Sequence, residues 1–203
     1  MLKFFFALLL LPVIAQAVDY QEGDLVFHKS TSNQRPALQV LTNSPWTHVG
    51  FIDKNGDEFW VAEASSTVKF TRLEQFIARG KNGHFIIKRL SPEIGVIGAA
   101  EKTRIRASLA NYFGKEYDIW FQWSNDTIYC SELVWKVYQE AMGIELSTPE
   151  RFRDYRLDTT EARQMIRSRY VNQGREFNVD ELVVSPVAVL NSNVLIEVDR
   201  NVR

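Results

Sequence analysis

The chain has 203 residues and a formal net charge of −1, because 25 acidic side chains nearly balance 24 lysines and arginines. Its length and ordinary composition predict one globular domain. A nearly neutral chain is not typical of a nucleic-acid-binding protein, which requires a positively charged surface. We therefore expect no nucleic-acid partner.

The first 17 residues have the pattern of a secretory signal peptide. Lys3 precedes an apolar run, and Ala15 and Ala17 supply the small residues typical of a cleavage site. The apolar run is too short to span a bilayer as a helix. We predict cleavage after Ala17, a mature domain of residues 18–203 without a stable membrane span, and a periplasmic or secreted location. The alternative is that the segment stays attached as an N-terminal membrane anchor.

An amphipathic helix is predicted in the stretch from Thr127 to Met142. Its apolar residues recur at the three- and four-residue intervals of one helix face, namely Cys130, Leu133, Val134, Val137, Tyr138 and Ala141. Gly143 predicts its end, and the polar residues 124–127 are expected to cap its start. Cys130 therefore lies in the first turn, where free backbone N–H groups and the helix dipole favour a thiolate.

Cys130 is the only cysteine in the sequence. In an oxidising compartment it has no partner for an intramolecular disulfide. Two interpretations stay open at this point. The residue is either a small buried hydrophobe, which is common for free cysteines, or a thiol kept for its reactivity.

Two β-rich segments on either side of Asn55 and Gly56 predict a β-hairpin with a type I′ turn. With these two residues as the loop, counting along the ladder places His48 directly opposite Glu63 on one face of the sheet. A carboxylate in that position can orient an imidazole and stabilise its charge. The count depends on the turn, because a shift of one residue would move the two side chains to opposite faces.

The rest of the chain shows shorter strand and helix patterns. Strands are expected at residues 24–27, 68–71, 84–90, 182–184 and 194–198. One helical turn is expected at residues 37–41, and helices at residues 73–79, 92–112 and 159–170. In the helix at residues 92–112, the predicted core-facing residues are Ile94, Ile97, Ile105 and Leu109.

A thiol hydrolase needs a thiolate, a base that also protonates the leaving group, and a third group that holds the base. Cys130, His48 and Glu63 supply these three chemical types, and together they favour a catalytic interpretation. His28 ends the first strand and is a candidate for lining the same cleft. Glu132 is interpreted as structural. The three histidines and the single cysteine lack the spacing of metal ligands, so we expect neither a metal nor another cofactor.

Five segments carry a family resemblance. They are Gly23-Asp-Leu-Val-Phe27, Thr47-His-Val-Gly50, Val61-Ala-Glu-Ala64, Gly114-Lys-Glu-Tyr-Asp118 and Tyr129-Cys-Ser-Glu-Leu-Val-Trp-Lys-Val-Tyr138. Together they resemble the YiiX/YaeF group of circularly permuted papain-like cysteine hydrolases, which are related to the NlpC cell-wall peptidases. The resemblance is closest to the YiiX type, because the signal peptide lacks the lipidation cysteine of the lipoprotein members. The histidine strand precedes the cysteine helix in this group, the reverse of papain, and this chain has that order.

The resemblance implies an α+β fold in which an antiparallel sheet or small barrel packs against the helix that carries the cysteine. It implies Cys130 as the nucleophile, His48 as the base and Glu63 as the orienting acid, and the last assignment agrees with the hairpin count. Further substrate-binding residues are expected to be Tyr117, Tyr129 and His28. The family often has a glutamine where this chain has His28.

The expected function is a secreted or periplasmic cysteine hydrolase, of amidase or peptidase type, that cleaves an amide or ester through Cys130. Two substrate classes stay open. Cell-wall peptide suits the compartment and the NlpC relationship, whereas an acyl lipid or N-acyl amide suits the aromatic run at residues 120–123 if those rings line the cleft. The alternative from another class is a non-catalytic ligand-binding module on the same fold.

Overall fold

The computed structural model describes residues 19–32 and 35–202, so the predicted signal peptide lies outside the described residues. The strands are β1 (Leu25–His28), β2 (His48–Asn55), β3 (Glu58–Ala64), β4 (Val68–Arg72), β5 (Phe85–Leu90), β6 (Glu150–Arg151), β7 (Leu182–Val183) and β8 (Leu195–Asn201). The helices are α1 (Arg35–Thr42), α2 (Leu73–Ala78), α3 (Ala99–Ala110), α4 (Cys130–Met142), α5 (Thr160–Arg169) and α6 (Pro186–Leu190).

Six of these strands form one sheet in the order β4-β3-β2-β1-β5-β8, and β6 pairs with β7 in a small second sheet. Every pairing in the large sheet is antiparallel. The sheet is open, with β4 and β8 at its edges, so its strands do not close into the small barrel that was the other expectation. The predicted α+β fold with an antiparallel sheet is confirmed.

Both faces of the large sheet are covered, because successive side chains of a strand point to opposite faces. Val49 and Phe51 point to the face on which α3 and α4 pack, whereas Ile52 points to the face covered by α2. The ring of Tyr138 in α4 stacks on Phe51, with 5.6 Å between the ring centroids. The Tyr138 hydroxyl donates a hydrogen bond to the backbone oxygen of Gly23 at 2.8 Å. These contacts fix α4 against β1 and β2.

The β2–β3 hairpin has a different turn from the predicted one. Asn55 pairs with Glu58, so the two loop residues are Gly56 and Asp57 rather than Asn55 and Gly56. Of the two loop residues only Gly56 has a positive φ, of 62°. A positive φ at the first loop position alone is typical of a type II′ turn, and the predicted type I′ turn is wrong.

Every pairing in the hairpin therefore shifts by two residues. Phe51 pairs with Ala62, and the predicted direct pairing of His48 with Glu63 is wrong. Side chains alternate between the faces with a period of two, so this shift leaves each one on its predicted face. His48 and Glu63 are consequently diagonal neighbours on the same face, which is within reach for side chains of their length.

Helix α3 is shorter than predicted. It begins after Gly98 rather than near Pro92, because Gly98 has extended backbone angles, with φ −84° and ψ −169°. The Glu101 carboxylate accepts a hydrogen bond from the Gly98 N–H at 3.1 Å and caps the helix start. Ile94, which was predicted to face the core, lies before the helix and is 49% exposed.

Helix α4 ends at Met142 as predicted, but it begins at Cys130, later than the predicted start near Thr127, and residues 124–127 do not cap it as expected. The buried Glu132 caps it instead, by accepting a hydrogen bond from the backbone N–H of Tyr129 at 3.4 Å. The same carboxylate forms an ion pair with Lys136 at 2.8 Å. Glu132 thus has contacts that agree with a structural interpretation.

Candidate active site

Cys130 is the first residue of α4, and its side chain is buried, with 2% of its surface exposed. Its sulfur accepts hydrogen bonds from the backbone N–H groups of Val49 and Ser131. It also forms a hydrogen bond with the imidazole of His48. All three donors direct positive charge at the sulfur, so they favour its ionised form.

His48 is the first residue of β2, so its imidazole lies at the end of the strand, where both Cys130 and Glu63 contact it. Its Nε2 is 2.7 Å from Oε2 of Glu63, in a buried hydrogen bond. Nδ1 is then the ring nitrogen left to face the thiol. The three residues assigned as catalytic from the sequence thus form one hydrogen-bonded series from thiol to imidazole to carboxylate.

Glu63 is fully buried, and both of its carboxylate oxygens have partners. Oε2 contacts His48, while Oε1 accepts hydrogen bonds from the Thr71 hydroxyl in β4 at 2.6 Å and from the guanidinium of Arg79 just after α2. A buried carboxylate needs such partners, because desolvation alone would disfavour its charge. No sequence pattern indicates Thr71 or Arg79, since only the pairing of β3 with β4 and the packing of α2 bring them to Glu63.

The three groups shift one another's pKa values towards an ion pair. Burial raises the pKa of Glu63, but the His48 hydrogen bond and charge, together with Thr71 and Arg79, outweigh it and lower that pKa to about 2. Burial lowers the pKa of His48, but Cys130 and Glu63 outweigh it and raise that pKa to about 9. Burial also raises the pKa of Cys130, and the His48 charge and the N–H donors lower it below its ordinary value. A thiolate and an imidazolium beside a carboxylate are therefore favoured at neutral pH.

Tyr117 lies beside the nucleophile. A backbone bridge to Ile128 brings it next to the start of α4, and its hydroxyl forms a hydrogen bond with the Cys130 sulfur. Burial, and then the neighbouring sulfur charge, raises the pKa of Tyr117 well above its ordinary value. The hydroxyl consequently stays protonated and can donate a hydrogen bond to a negative oxygen that develops beside Cys130.

A cavity of about 460 Å³, its open mouth included, lies next to Cys130. Its walls are mostly apolar and include Leu38, Leu41, Phe121, Phe152, Val183 and Pro186. Tyr117 and Tyr129, both expected to contact substrate, also line it. The Tyr129 hydroxyl accepts a hydrogen bond from the backbone N–H of Val184 at 3.0 Å, which fixes the wall formed by residues 183–186.

His28 does not line this cavity. It pairs with His48 across β1 and β2, and its ring centroid lies 4.9 Å from that of His48 and 4.6 Å from that of Phe76. Burial, and then the His48 charge, lowers the pKa of His28 to about 3, so its ring is neutral. The structure therefore places His28 behind the base rather than in the expected position against the substrate.

Two general features hold for residues 19–32 and 35–202. None of their helices is both long enough and apolar enough to cross a membrane. Their His, Cys, Asp and Glu side chains form no group of three or more that could hold a metal ion.

Residues 19–198 match a family described as Peptidase_C92, "Permuted papain-like amidase enzyme, YaeF/YiiX, C92 family". The chain is 34% identical over 184 residues to "Uncharacterized protein YiiX" of Escherichia coli (strain K12), which covers 91% of this chain and 88% of that protein. It is also similar to the crystal structure of "metalloprotein yiiX" from Escherichia coli O157:H7, with a TM-score of 0.83 and 34% identity over 89% of this chain and 97% of that one. The expected permuted papain-like fold is confirmed.

Proposed function

The chain belongs to the YaeF/YiiX family of permuted papain-like amidases, and on that basis we propose that it hydrolyses an amide or ester bond through a covalent intermediate on Cys130. The observation that carries this proposal is the hydrogen-bonded series of Cys130, His48 and Glu63. Their pKa values are shifted towards thiolate, imidazolium and carboxylate. A non-catalytic binding module would have no need for three ionisable groups buried in this order.

The proposed reaction begins with the Cys130 thiolate, which attacks the acyl carbon as the carbonyl electrons move onto the oxygen. The Cys130 backbone N–H, at the start of α4, and the Tyr117 hydroxyl are the donors for this oxyanion. His48 then gives its proton to the leaving amine or alcohol as the bond to that group breaks, which leaves a thioester. Neutral His48 next takes a proton from the water that attacks the thioester. The carboxylic acid is released and the thiolate is restored, while Glu63 holds the imidazole throughout.

We propose that the group bound beside Cys130 is apolar. The support is the cavity, whose walls are mostly apolar and which begins at the nucleophile. Burial of apolar surface is favourable by about 25 cal/mol per Å², so an acyl chain gains free energy in this cavity. A charged peptide would instead lose hydration there without finding partners. An acyl lipid or N-acyl amide therefore suits the site better than a cell-wall peptide does.

We also propose that the protein acts in the periplasm or outside the cell after removal of residues 1–17. The support is the basic, apolar and small-residue pattern of that segment. Val18 is then the first residue of the exported protein, which its intact mass would check.

A metal has no part in the proposed reaction. The solved relative from Escherichia coli O157:H7 is titled a metalloprotein. In the described part of this chain, however, no group of three or more His, Cys, Asp or Glu side chains is placed so that it could hold a metal ion. Cys130, His48 and Glu63 are already occupied by one another.

Alkylation by iodoacetamide tests the proposed nucleophile, because Cys130 is the only thiol in the chain. We expect the native protein to react about tenfold faster at neutral pH than a thiol of ordinary pKa. Intact mass measures the extent of alkylation, and Cys130→Ala should show neither a mass increase nor any turnover. If Cys130 reacts only after unfolding, the proposed activated thiolate is wrong.

The substrate class is tested with N-acyl amides, acyl lipids and purified peptidoglycan fragments, with products identified by mass spectrometry. Release of a fatty acid that is absent with Cys130→Ala would support the apolar acyl group. If only peptidoglycan fragments are cleaved, the proposed apolar acyl group is wrong, whereas the proposed cysteine mechanism is still supported.

A further inference from the structure

Phe121 lines the cavity beside Cys130 in a backbone conformation that its side chain disfavours. Its φ is 55°, in the left-handed region that glycine and asparagine adopt readily and bulky residues rarely do. Such a conformation persists only where the surroundings enforce it, and enforced conformations of this kind cluster at functional sites. The contacts of the surrounding loop show what enforces this one.

Asp118 enforces the conformation from inside the loop. Its carboxylate is fully buried, and its two oxygens accept hydrogen bonds from the backbone N–H groups of Trp120 at 2.8 Å and Gln122 at 2.5 Å. The N–H of Phe121 donates to the same carboxylate. Three consecutive N–H groups are thus turned towards one side chain, and this leaves little freedom for the residue in the middle.

Two residues at and beyond the end of α5 hold the loop from outside. The Tyr170 hydroxyl donates a hydrogen bond to the backbone oxygen of Trp120, and the Arg169 guanidinium donates to that of Ile119 at 3.0 Å. The same guanidinium lies 5.0 Å from the centroid of the Phe121 ring. The ring is therefore backed by a cation and cannot retreat to enlarge the cavity.

The other contacts of the Phe121 ring are with the cavity walls. It meets the ring of Tyr129 edge to face, with 5.2 Å between centroids, and it meets Phe152 at 6.5 Å. Tyr129 directly precedes the nucleophile in the chain. The Phe121 ring thus forms a fixed part of the cavity wall, and it contacts the residue next to the reacting Cys130.

From these contacts we propose that Phe121 is the specificity-determining residue that sets which apolar acyl groups the cavity accepts, and that Asp118 is the positioning residue that holds it there. This inference rests on the proposed function, since it names how that site selects its substrate. The ligand class is an acyl group, and the property selected is chain length.

The experiment compares kcat/KM for p-nitrophenyl esters from acetyl to dodecanoyl in wild type and Phe121→Ala. Removal of the ring deepens the cavity, so the ratio of dodecanoyl to butanoyl turnover should rise about tenfold, since apolar pockets discriminate to this degree per methylene. The matched control is Phe113→Ala, which removes an aromatic ring that is 56% exposed and outside the cavity, and which should leave the ratio unchanged. An unchanged ratio in Phe121→Ala would overturn the proposal. Phe121→Leu, a smaller change, serves the same purpose if the alanine variant does not fold.

The role of Asp118 is tested by non-additivity. Asp118→Asn alone should shift the ratio in the same direction, because the ring is then less well held. In the Phe121→Ala background it should leave the ratio unchanged, because the ring through which it acts is absent. If Asp118→Asn lowers the turnover of all esters equally in both backgrounds, its role is structural and that part of the proposal is wrong.

A binding measurement separates this inference from the proposed hydrolysis. Fluorescent alkyl amides of graded length are titrated into Cys130→Ala with and without Phe121→Ala, so no turnover is needed. A change in relative affinity for long and short chains supports the role of Phe121 even if no ester is cleaved. Equal relative affinities overturn that role even if esters are cleaved.

Discussion

At the scale of single residues, His48 stays charged although it is buried. An imidazolium in an apolar interior is disfavoured, and burial is the largest effect on its pKa. The Cys130 sulfur on one side and the Glu63 carboxylate on the other reverse that effect and raise the pKa to about 9. The proton needed by the leaving group is therefore already in place when the thiolate attacks.

Glu63→Gln should make the activity more sensitive to alkaline pH. The protonated His48 is the form that serves the leaving group, so activity is lost as the pH rises through its pKa of about 9. Without the Glu63 charge that pKa falls, and the alkaline limb of kcat/KM should move down by about one pH unit or more. The maximum should also fall by about 100- to 10,000-fold, as in triads whose orienting acid is neutralised. A pH profile with an ester substrate measures both effects.

Glu58→Gln is the matched control for this change. Glu58 lies on the same strand as Glu63, but its side chain is about half exposed and pairs with Arg72 at 2.7 Å. Its pH profile should coincide with that of the wild type. An alkaline limb in Glu63→Gln that coincides with the wild type would contradict the role given to the carboxylate.

The sequence was sufficient to propose Cys130, His48 and Glu63 as partners, although the pairing that linked the last two was wrong by two residues. The contact survives because two is the period of a strand, and a shift of one would have separated them. Thr71 and Arg79, which complete the shell around Glu63, carry no comparable signal. Their contacts depend on which strand becomes the neighbour of β3 and where α2 ends.

At the scale of elements, the close approach of β2 and β3 depends on Gly50. A Cβ at this position would lie 2.5 Å from Cγ1 of Val61 and 2.8 Å from the backbone oxygen of Ala62. Gly50→Ala should therefore push the strands apart and lower the free energy of unfolding by about 1–3 kcal/mol. It should also slow alkylation of Cys130, because His48 and Glu63 lie on the separated strands. Thermal unfolding and iodoacetamide kinetics measure the two effects.

Gly56→Ala, at the turn of the same hairpin, is a control that should lower the stability of the protein without changing the spacing of β2 and β3 near His48 and Glu63. Nothing lies within 4 Å of a Cβ there, but φ is 62°, a value that residues other than glycine disfavour, so the change costs about 1–3 kcal/mol in strain. Its alkylation rate should stay that of the wild type in spite of the lower stability. If Gly50→Ala also alkylates at the wild-type rate, the strand spacing does not control the site.

The sequence predicted best those elements whose apolar residues recur at a regular spacing. It predicted less well the start of a helix at a glycine and the conformation of irregular loops. Helix α4 ends at Met142 as predicted, but α3 loses its first turns at Gly98, where the apolar spacing alone suggested continuation. The loop that carries Phe121 has no period at all. Its conformation follows from three N–H groups that share the Asp118 carboxylate, and such convergence depends on tertiary contacts that a linear pattern does not contain.

At the scale of the whole molecule, Glu63 joins four parts of the fold. β3 carries it, β2 carries His48, β4 carries Thr71, and Arg79 follows α2 on the covering face. Each of these partners donates a hydrogen bond to the charged form of one carboxylate. The hydrogen bonds that align the reactive groups therefore also hold β2, β3, β4 and the end of α2 together. Protonation of Glu63 should weaken both the alignment of the site and the packing of these elements.

Lowering the pH should consequently remove the part of the free energy of unfolding that the ionised Glu63 contributes. The pKa of Glu63 is about 2 in the folded protein and 4.5 ordinarily, so the folded state binds this proton less readily than the unfolded chain. Its stabilisation is therefore complete above about pH 4.5 and is lost as the pH falls towards 2. Over that range the difference in unfolding free energy between wild type and Glu63→Gln should shrink by on the order of 2–3 kcal/mol. Urea unfolding at a series of pH values measures it, and a difference that stays constant with pH would show that Glu63 is not held ionised by this network.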